Sequence, residues 1–324
     1  MEFRLIDRIR ERTAQGRDDV HLGIGDDAAL LAVPEGQELA VAIDTMVEGV
    51  HFPRDTAPAD LGWKALAVNL SDLAAMGATP AWALLALTLP RSGAAEARQR
   101  FVDEFAQGFA QLAQPHRLAL VGGDTTGGPL TISVAVHGFV PPGKALRRAG
   151  AKPGDVVMVT GTLGDAAAGL HLLQHGGAEA AQAGYLLERL QRPAPRVAAG
   201  LALRERASAC LDVSDGLVAD LGHICAASGV GAEIESALLP LSSALLGLFD
   251  DSSAHGFALS GGDDYELCFT VPAARAAEVQ VDLARLGCGA ARIGRIVEGA
   301  GVRVRGEDGA WLEPARQGWD HFAA

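Results

Sequence analysis

The sequence predicts an α/β (α+β) protein built from two domains. The chain has 324 residues, which fits one large domain or two of ordinary size. Apolar strand-like runs alternate with helical patterns along its whole length. Near the middle, VPPGKALRRAGAKPGD (140–155) concentrates Pro, Gly and basic residues, as a domain boundary does. The expected domains are 1–147 and 148–324.

The elements follow in order. Residues 3–14 repeat like an amphipathic helix. A polar Gly/Asp loop leads to VHLGIGDDAALLAV, and ELAVAID (38–44) reads as a strand ending in Asp44. Residues 60–77 read as a helix, with Asp60 as N-cap, Gly77 as C-cap and Pro80 just beyond. Residues 94–114 form a second helix. LALVGGDTTGG (118–128) is a short apolar strand breaking into a glycine loop, and TISVAVHGFV (131–140) is another strand. In the second half, DVVMVTG is a strand and GDAAAGLHLLQ a helix. RPAPRVAAGLAL opens a further helix with its prolines at the entry. CLDVSDGLVADLGHICAASG runs from a short strand into a long helix, and YELCFTV and ARIGRIV are strands.

Composition excludes several functions. Apolar residues at 49% supply sizeable cores, and no apolar run reaches the roughly 18–20 residues that span a bilayer. The start, MEFRLIDRIRERT, lacks the apolar segment of a signal peptide, so a cytoplasmic protein is expected. The net charge of −13 disfavours nucleic acid as a partner. The same charge repels phosphates unless cations or local basic residues intervene. The four cysteines show no C-x-x-C pair and the nine histidines no H-E-x-x-H, so neither a redox pair nor a zinc site is expected.

The aspartates recur in one setting. Asp26 and Asp27 follow HLGIG, Asp44 ends VAID, Asp124 follows LVGG, and Asp212 and Asp215 lie in CLDVSDG. Each apolar run delivers an Asp at its end, where α/β folds place ligands. Taken singly, each reads equally as a turn or cap residue, Asp215 above all. Asp72 does not, because LAVNLSDLAAMGATP places it in the middle of an apolar helix. A carboxylate there requires a partner. A hard divalent cation shared by several aspartates supplies one, and Mg²⁺ bridges carboxylates to phosphates.

Other signatures are missing or misleading. There is no P-loop, no protein-kinase motif set and no G-x-S-x-G. GIGDDA matches a dinucleotide fingerprint, but its two aspartates would face a pyrophosphate and Pro34 arrives too soon for the helix. GGDTTGG suits a phosphate or a plain turn, and Arg147–Arg148 near Lys144 suits a nucleotide clamp or a solvated linker.

Together the motifs GIGDDAA, IDTMVEGVHF, KALAVNLSDLAAMGATP, GGDTT, RRAGAKPGD, TGTLGDAAAGL, RPAPR, LDVSDGL, GGDDYEL and GWDHF resemble the thiamine-monophosphate kinases, in that family's order. The resemblance implies an aminoimidazole-ribonucleotide-synthetase-like fold, with N-terminal sheets joining into a barrel across a homodimer. It implies transfer of a phosphoryl group from ATP to thiamine phosphate, without a covalent enzyme intermediate and with several Mg²⁺ ions. By this resemblance the metal ligands fall on Asp27, Asp44, Asp72, Asp124, Asp212 and Asp215. Nucleotide contacts fall on Gly123, Asp124, Arg148 and Ser214, and thiamine phosphate meets His51, Asp263 and Trp319. Asp72, Asp124, Asp212 and Arg148 are the expected catalytic residues. Two positions depart from the pattern: Ala42 and Ile43 stand where many members carry hydroxyl residues, and Asp263 where Glu is frequent. A related synthetase with a reactive N-terminal cysteine is disfavoured because the first cysteine is Cys210. A C-terminal cysteine, as in the related maturation enzyme, is absent from HFAA. A non-catalytic Mg–nucleotide sensor would bind ATP without turnover.

Overall fold

The computed structural model describes residues 2–177, 179, 181–312 and 318. It divides into two compact units, residues 1–73 with 78–143, and residues 74–77 with 144–324.

In the first unit the chain runs α1 (Glu2–Thr13), β1 (Val20–Leu22), β2 (Leu30–Leu31), β3 (Glu38–Val47), α2 (Pro58–Ala75), β4 (Thr79–Leu89), α3 (Ala95–Ala113), β5 (Ala119–Gly127) and β6 (Thr131–Val140). The last two residues of α2 group with the second unit. Four strands form a sheet in the order β3-β6-β4-β5, antiparallel except for the parallel β4/β5 pair. One sheet face is buried, through Met46, Ile132, Val134, Val136, Leu85 and Leu87. The other face leaves Val41 58%, Ile43 66% and Leu84 38% exposed. Helix α2 is apolar nearly all round, with Leu61, Leu66, Leu70 and Leu73 at most 1% exposed. It begins two residues before the expected start, so Asp60 lies in its first turn and is not its N-cap. Gly77 ends it in the left-handed region, φ +62, donating its N–H to the Ala74 carbonyl.

Two expectations need correcting here. TPAWALLALTL (79–89) is a strand that the pattern reading passes over, because Ala and Leu dominate and Pro80 reads as a helix stop. GGDTTGG is not a loop: β5 continues through Gly127. Gly123 is required by close approach, since at φ +149 any Cβ would collide with the Leu85 carbonyl of the paired strand.

The second unit runs β7 (Asp155–Thr160), α4 (Asp165–His175), α5 (Ala183–Gln191), α6 (Val197–Leu203), β8 (Ala209–Val213), α7 (Leu217–Ser228), β9 (Gly231–Glu235), α8 (Ser243–Leu248), α9 (Asp251–Ser260), β10 (Glu266–Pro272), α10 (Ala276–Arg285), β11 (Ala290–Val297), β12 (Gly301–Arg305) and β13 (Trp311–Leu312). Its seven-stranded sheet has the order β13-β12-β9-β11-β7-β10-β8. The pairing is antiparallel except for β12/β9, so helix and strand alternate without building a parallel sheet. The main core joins this sheet to α7 through Val159, Leu211, Leu217, Leu221, Ile224, Cys268 and Ile293. A smaller core gathers α4, α5, α8 and α9 around Leu172, Leu186 and Leu245. All four cysteines are free and buried. Among the described residues no helix is long and apolar enough to cross a membrane.

Candidate active site

In the first unit, Asp44 lies inside β3 and not at its end, because the strand runs on to Val47. At the free edge of β3 its backbone N–H donates to Asn69 Oδ1, 3.0 Å away. Asn69 is 1% exposed and donates its own amide to the Ala65 carbonyl within α2 at 2.9 Å. Asp72 is one turn along from Asn69 on the same face of α2 and is half-buried. The helix therefore carries Asp72 beside the edge that presents Asp44. Pattern reading missed Asn69, although it stands with Ser71 as a buried polar residue in the quoted apolar helix.

Asp124 also lies within its strand, not past its end. The register aligns it with Ala86, Ser133 and Thr45 across the sheet, all on the open face. Asp44 aligns with Val134 on the opposite, helix-covered face. The structure thus separates Asp124 from Asp44 across the thickness of the sheet. Asp27 sits on the exposed turn between β1 and β2, its N–H bonded to Asp26 Oδ1 at 2.8 Å. No helix follows GIGDDA, in keeping with rejection of the dinucleotide reading. His51 closes a turn after β3, its Nδ1 accepting the Val47 N–H at 3.0 Å. In the neutral ring that bond places the proton on Nε2.

In the second unit, β8 delivers Asp212, and the loop to α7 carries Ser214 and Asp215. Asp212 is 8% exposed, while Ser214 and Asp215 are half-exposed. Asp215 is not the helix cap: α7 starts after Gly216. The cap is supplied from within the helix, where Asp220 Oδ2 accepts the N–H groups of Ser214, Asp215 and Gly216 at 3.0, 3.0 and 3.1 Å. Burial pushes the Asp220 carboxyl up to about 7, the N–H bonds opposing and the charges of Asp215 and Asp212 adding to the rise.

The GGDDY turn packs directly on this loop. Asp263 N–H donates to the Ser214 carbonyl at 2.9 Å and Tyr265 N–H to the Val213 carbonyl at 2.8 Å. Asp263 and Tyr265 both hold left-handed backbones, φ 70 and 50, which non-glycine residues rarely adopt. The Tyr265 hydroxyl donates to Asp263 Oδ1 at 2.9 Å. Asp212, Ser214, Asp215 and Asp263 are therefore gathered at one end of β8 and β10. Arg148 is not: its neighbour Arg147 accepts the Cys210 N–H at 2.8 Å, beside the opposite end of β8. Its backbone stands roughly 10–15 Å from the Asp215 loop at ~3.3 Å per strand residue. Trp319 lies outside the described residues.

Beneath the turn is a buried ionic hub that pattern reading did not find. Glu266, 0% exposed, accepts from Thr160 Oγ1 at 2.6 Å, from Arg189 at 2.7 Å and from Arg196 at 2.6 and 2.5 Å. Both carboxylate oxygens of Asp264 accept the Gly164 N–H, at 3.1 and 2.9 Å. Burial holds the Asp264 carboxyl well above the usual range. RPAPR, which holds Arg196, and GGDDYEL, which holds Asp264 and Glu266, were the available signals, but pattern reading gives a role to Asp263 alone among their residues.

Among the described residues, no three His, Cys, Asp or Glu side chains form a ready-made metal cage. The donor set nonetheless suits Mg²⁺: it consists of carboxylates, half-exposed or at the surface except for Asp212, with no thiolate or imidazole cluster. Such an ion keeps waters and needs only one or two protein carboxylates plus phosphate oxygens.

Residues 25–140 match the family model of the AIR synthase related protein N-terminal domain, and residues 152–307 that of its C-terminal domain. The chain is 50% identical over 324 residues to thiamine-monophosphate kinase of Escherichia coli (strain K12), covering 99% of this chain and 98% of that one. The chain belongs to the thiamine-monophosphate kinase family. Thiamine-monophosphate kinase from Stenotrophomonas maltophilia K279a superposes with a TM-score of 0.87 at 51% identity, over 95% of this chain and 96% of that one. AaThiL complexed with AMPPCP and TMP superposes with a TM-score of 0.79 at 37% identity, over 99% of this chain and 97% of that one. Both matches extend over the two units, so this family's α/β fold spans both.

Proposed function

We propose that this protein phosphorylates thiamine phosphate with ATP, giving thiamine diphosphate and ADP, as the last step of thiamine diphosphate biosynthesis. The observation that carries the reading is the near-full-length likeness to thiamine-monophosphate kinases, one of them AaThiL complexed with AMPPCP and TMP. A phosphate oxygen of thiamine phosphate attacks the γ-phosphorus of ATP in line. The new P–O bond forms as the bond to the β-phosphate oxygen breaks, and ADP leaves. No enzyme group is covalently modified, so the protein's task is positioning and charge management.

Asp27, Asp44, Asp72, Asp124, Asp212 and Asp215 would hold Mg²⁺. Bound Mg²⁺ supplies charge neutralisation for two polyanions brought together in an acidic protein. Asn69 holds β3 against α2, and so holds Asp44 at a defined place relative to Asp72. Gly123, Asp124, Ser214 and Arg148 would meet the nucleotide, Arg148 by reaching a part of it remote from the Asp215 loop. His51, with its proton on Nε2, would donate to the acceptor phosphate. Asp263, steadied by Tyr265, would meet thiamine phosphate, as would Trp319 through its aromatic face. The first unit would contribute Asp27, Asp44, Asp72 and Asp124 to metal binding, and the second would contribute Asp212 and Asp215, with Asp263 for the acceptor.

The protein is proposed to act as a cytoplasmic homodimer. The exposed apolar row Val41, Ile43 and Leu84 on the open sheet face supports burial against a second copy. That face also carries Asp124, whose setting would then change on assembly.

Phosphorus NMR tests the reaction on the purified protein with ATP, Mg²⁺ and thiamine phosphate, beside a sample without acceptor. Thiamine diphosphate and ADP should grow together without free phosphate. ATP consumed to phosphate alone, or not at all, refutes the assigned acceptor.

A further inference from the structure

The loop between β8 and α7 presents three successive backbone N–H groups at a helix start. Such a start ordinarily attracts anions, and a nucleotide phosphate would be a natural occupant. Here that position is filled. One oxygen of Asp220 accepts all three N–H groups, and Asp220 is 4% exposed. The bond is reciprocated, since the Asp220 N–H donates to the Gly216 carbonyl at 3.0 Å. The amides converge inward on a buried carboxylate while the side chains of Ser214 and Asp215 stay half-exposed. From the other side, the Ser214 carbonyl accepts the Asp263 N–H. The loop's donors and this acceptor are thus both engaged within the protein. What it offers to a ligand is side-chain oxygen.

We propose that Asp220 is a positioning residue that converts this helix start from an anion site into a cation-facing one. It sets Asp215, together with neighbouring Asp212, to hold a divalent cation, and it denies nucleotide phosphates a direct seat on the loop amides. The nucleotide's phosphates then reach the loop backbone through the cation, and Ser214 meets the nucleotide by its side chain. The inference rests on the metal-dependent kinase reading above, and it assigns Asp220 no contact with substrate.

The test measures Mn²⁺ binding by electron paramagnetic resonance, without nucleotide, in the full-length wild type, Asp220→Ala, Asp220→Asn and a control, Asp215→Asn. The control identifies the Mn²⁺ that this loop holds. Asp220→Ala should weaken that ion roughly 10–100-fold, as loss of a group orienting a metal ligand does. Asp220→Asn keeps an acceptor oxygen for the same three N–H groups and should restore binding to within about threefold of wild type. In turnover assays Asp220→Ala should raise KM for ATP by roughly tenfold, with KM for thiamine phosphate nearly unchanged. A uniform loss of both would mark a merely structural cap and overturn the proposal. So would Mn²⁺ affinity within about twofold of wild type in Asp220→Ala. If Asp220→Ala does not fold, Asp220→Glu carries the same comparison, since it keeps the charge but displaces the carboxylate by a methylene; unchanged Mn²⁺ affinity there overturns the proposal. A wild type that binds the loop Mn²⁺ but forms no thiamine diphosphate would refute the acceptor reading alone. A wild type that binds no Mn²⁺ at this loop refutes the role of Asp220.

Discussion

Replacing Glu266 by Gln changes two heavy atoms' chemistry and almost no volume, yet it should be among the most damaging single changes in the second unit. Glu266 is 0% exposed and its carboxylate faces the guanidinium groups of Arg189 and Arg196 at 2.7 and 2.5 Å. Arg189 is itself 9% exposed, so water does not replace the lost charge. In the variant one oxygen becomes an NH₂ that confronts the donors of Thr160 or an arginine. Arg196 then faces a neutral acceptor, and Arg189 keeps the more distant Asp165 carboxylate, 3.9 Å away, as a counter-charge. Breaking a buried pair from one side costs about 3–5 kcal/mol. At ~2–4 °C per kcal/mol for a unit of this size, the melting temperature should fall by roughly 6–20 °C. Differential scanning calorimetry of wild type and Glu266→Gln measures it directly. A shift under about 2 °C would mean that the hub is solvated or rearranges freely, and the argument from burial would be wrong. Loss of activity alone, at unchanged melting temperature, would also refute it.

Three other outcomes follow from the structure. Asp72→Asn should lower turnover by at least ~100-fold while circular dichroism stays that of wild type, because the side chain serves charge and not packing; full activity would refute a metal role. Gly123→Ala should cost several kcal/mol or yield insoluble protein, because its Cβ meets the Leu85 carbonyl; a melting temperature equal to wild type would show that β4 and β5 can part without cost. Asp19 is held below the usual carboxylate range by Arg17, at 2.8 and 2.6 Å, with the Trp82 indole N–H also donating to it at 3.0 Å. A depressed folded-state pKa means stability that is present above the ordinary value of 3.8 and lost as pH falls through the folded value. Thermal melts of wild type and Asp19→Asn should therefore differ at neutral pH and converge in acid, and parallel curves across that range would exclude the linkage.

Much of the molecule can be read without coordinates. Alternating apolar and helical patterns are local properties, and they predict two α/β halves. The family follows from short motif stretches, and the same stretches suggest the aspartates proposed as metal ligands. Other features depend on partners far apart in the chain. Glu266 meets its hub partners 106, 77 and 70 residues away, and no window of sequence contains such a pairing. Residues 79–89 are a strand because β5 and β6 flank them, which overrides the weak strand preference of Ala and Leu. The pleat places Asp44 and Asp124 on opposite faces, a fact of register that spacing alone does not carry. Sequence by itself determined the family and which carboxylates to propose as metal ligands. Tertiary structure decided which of them share a face, and it assigned the cap to Asp220 and not Asp215. The physical reason is that residue type is a property of one position, whereas burial, register and hydrogen-bond partnership belong to pairs of positions that only folding brings together.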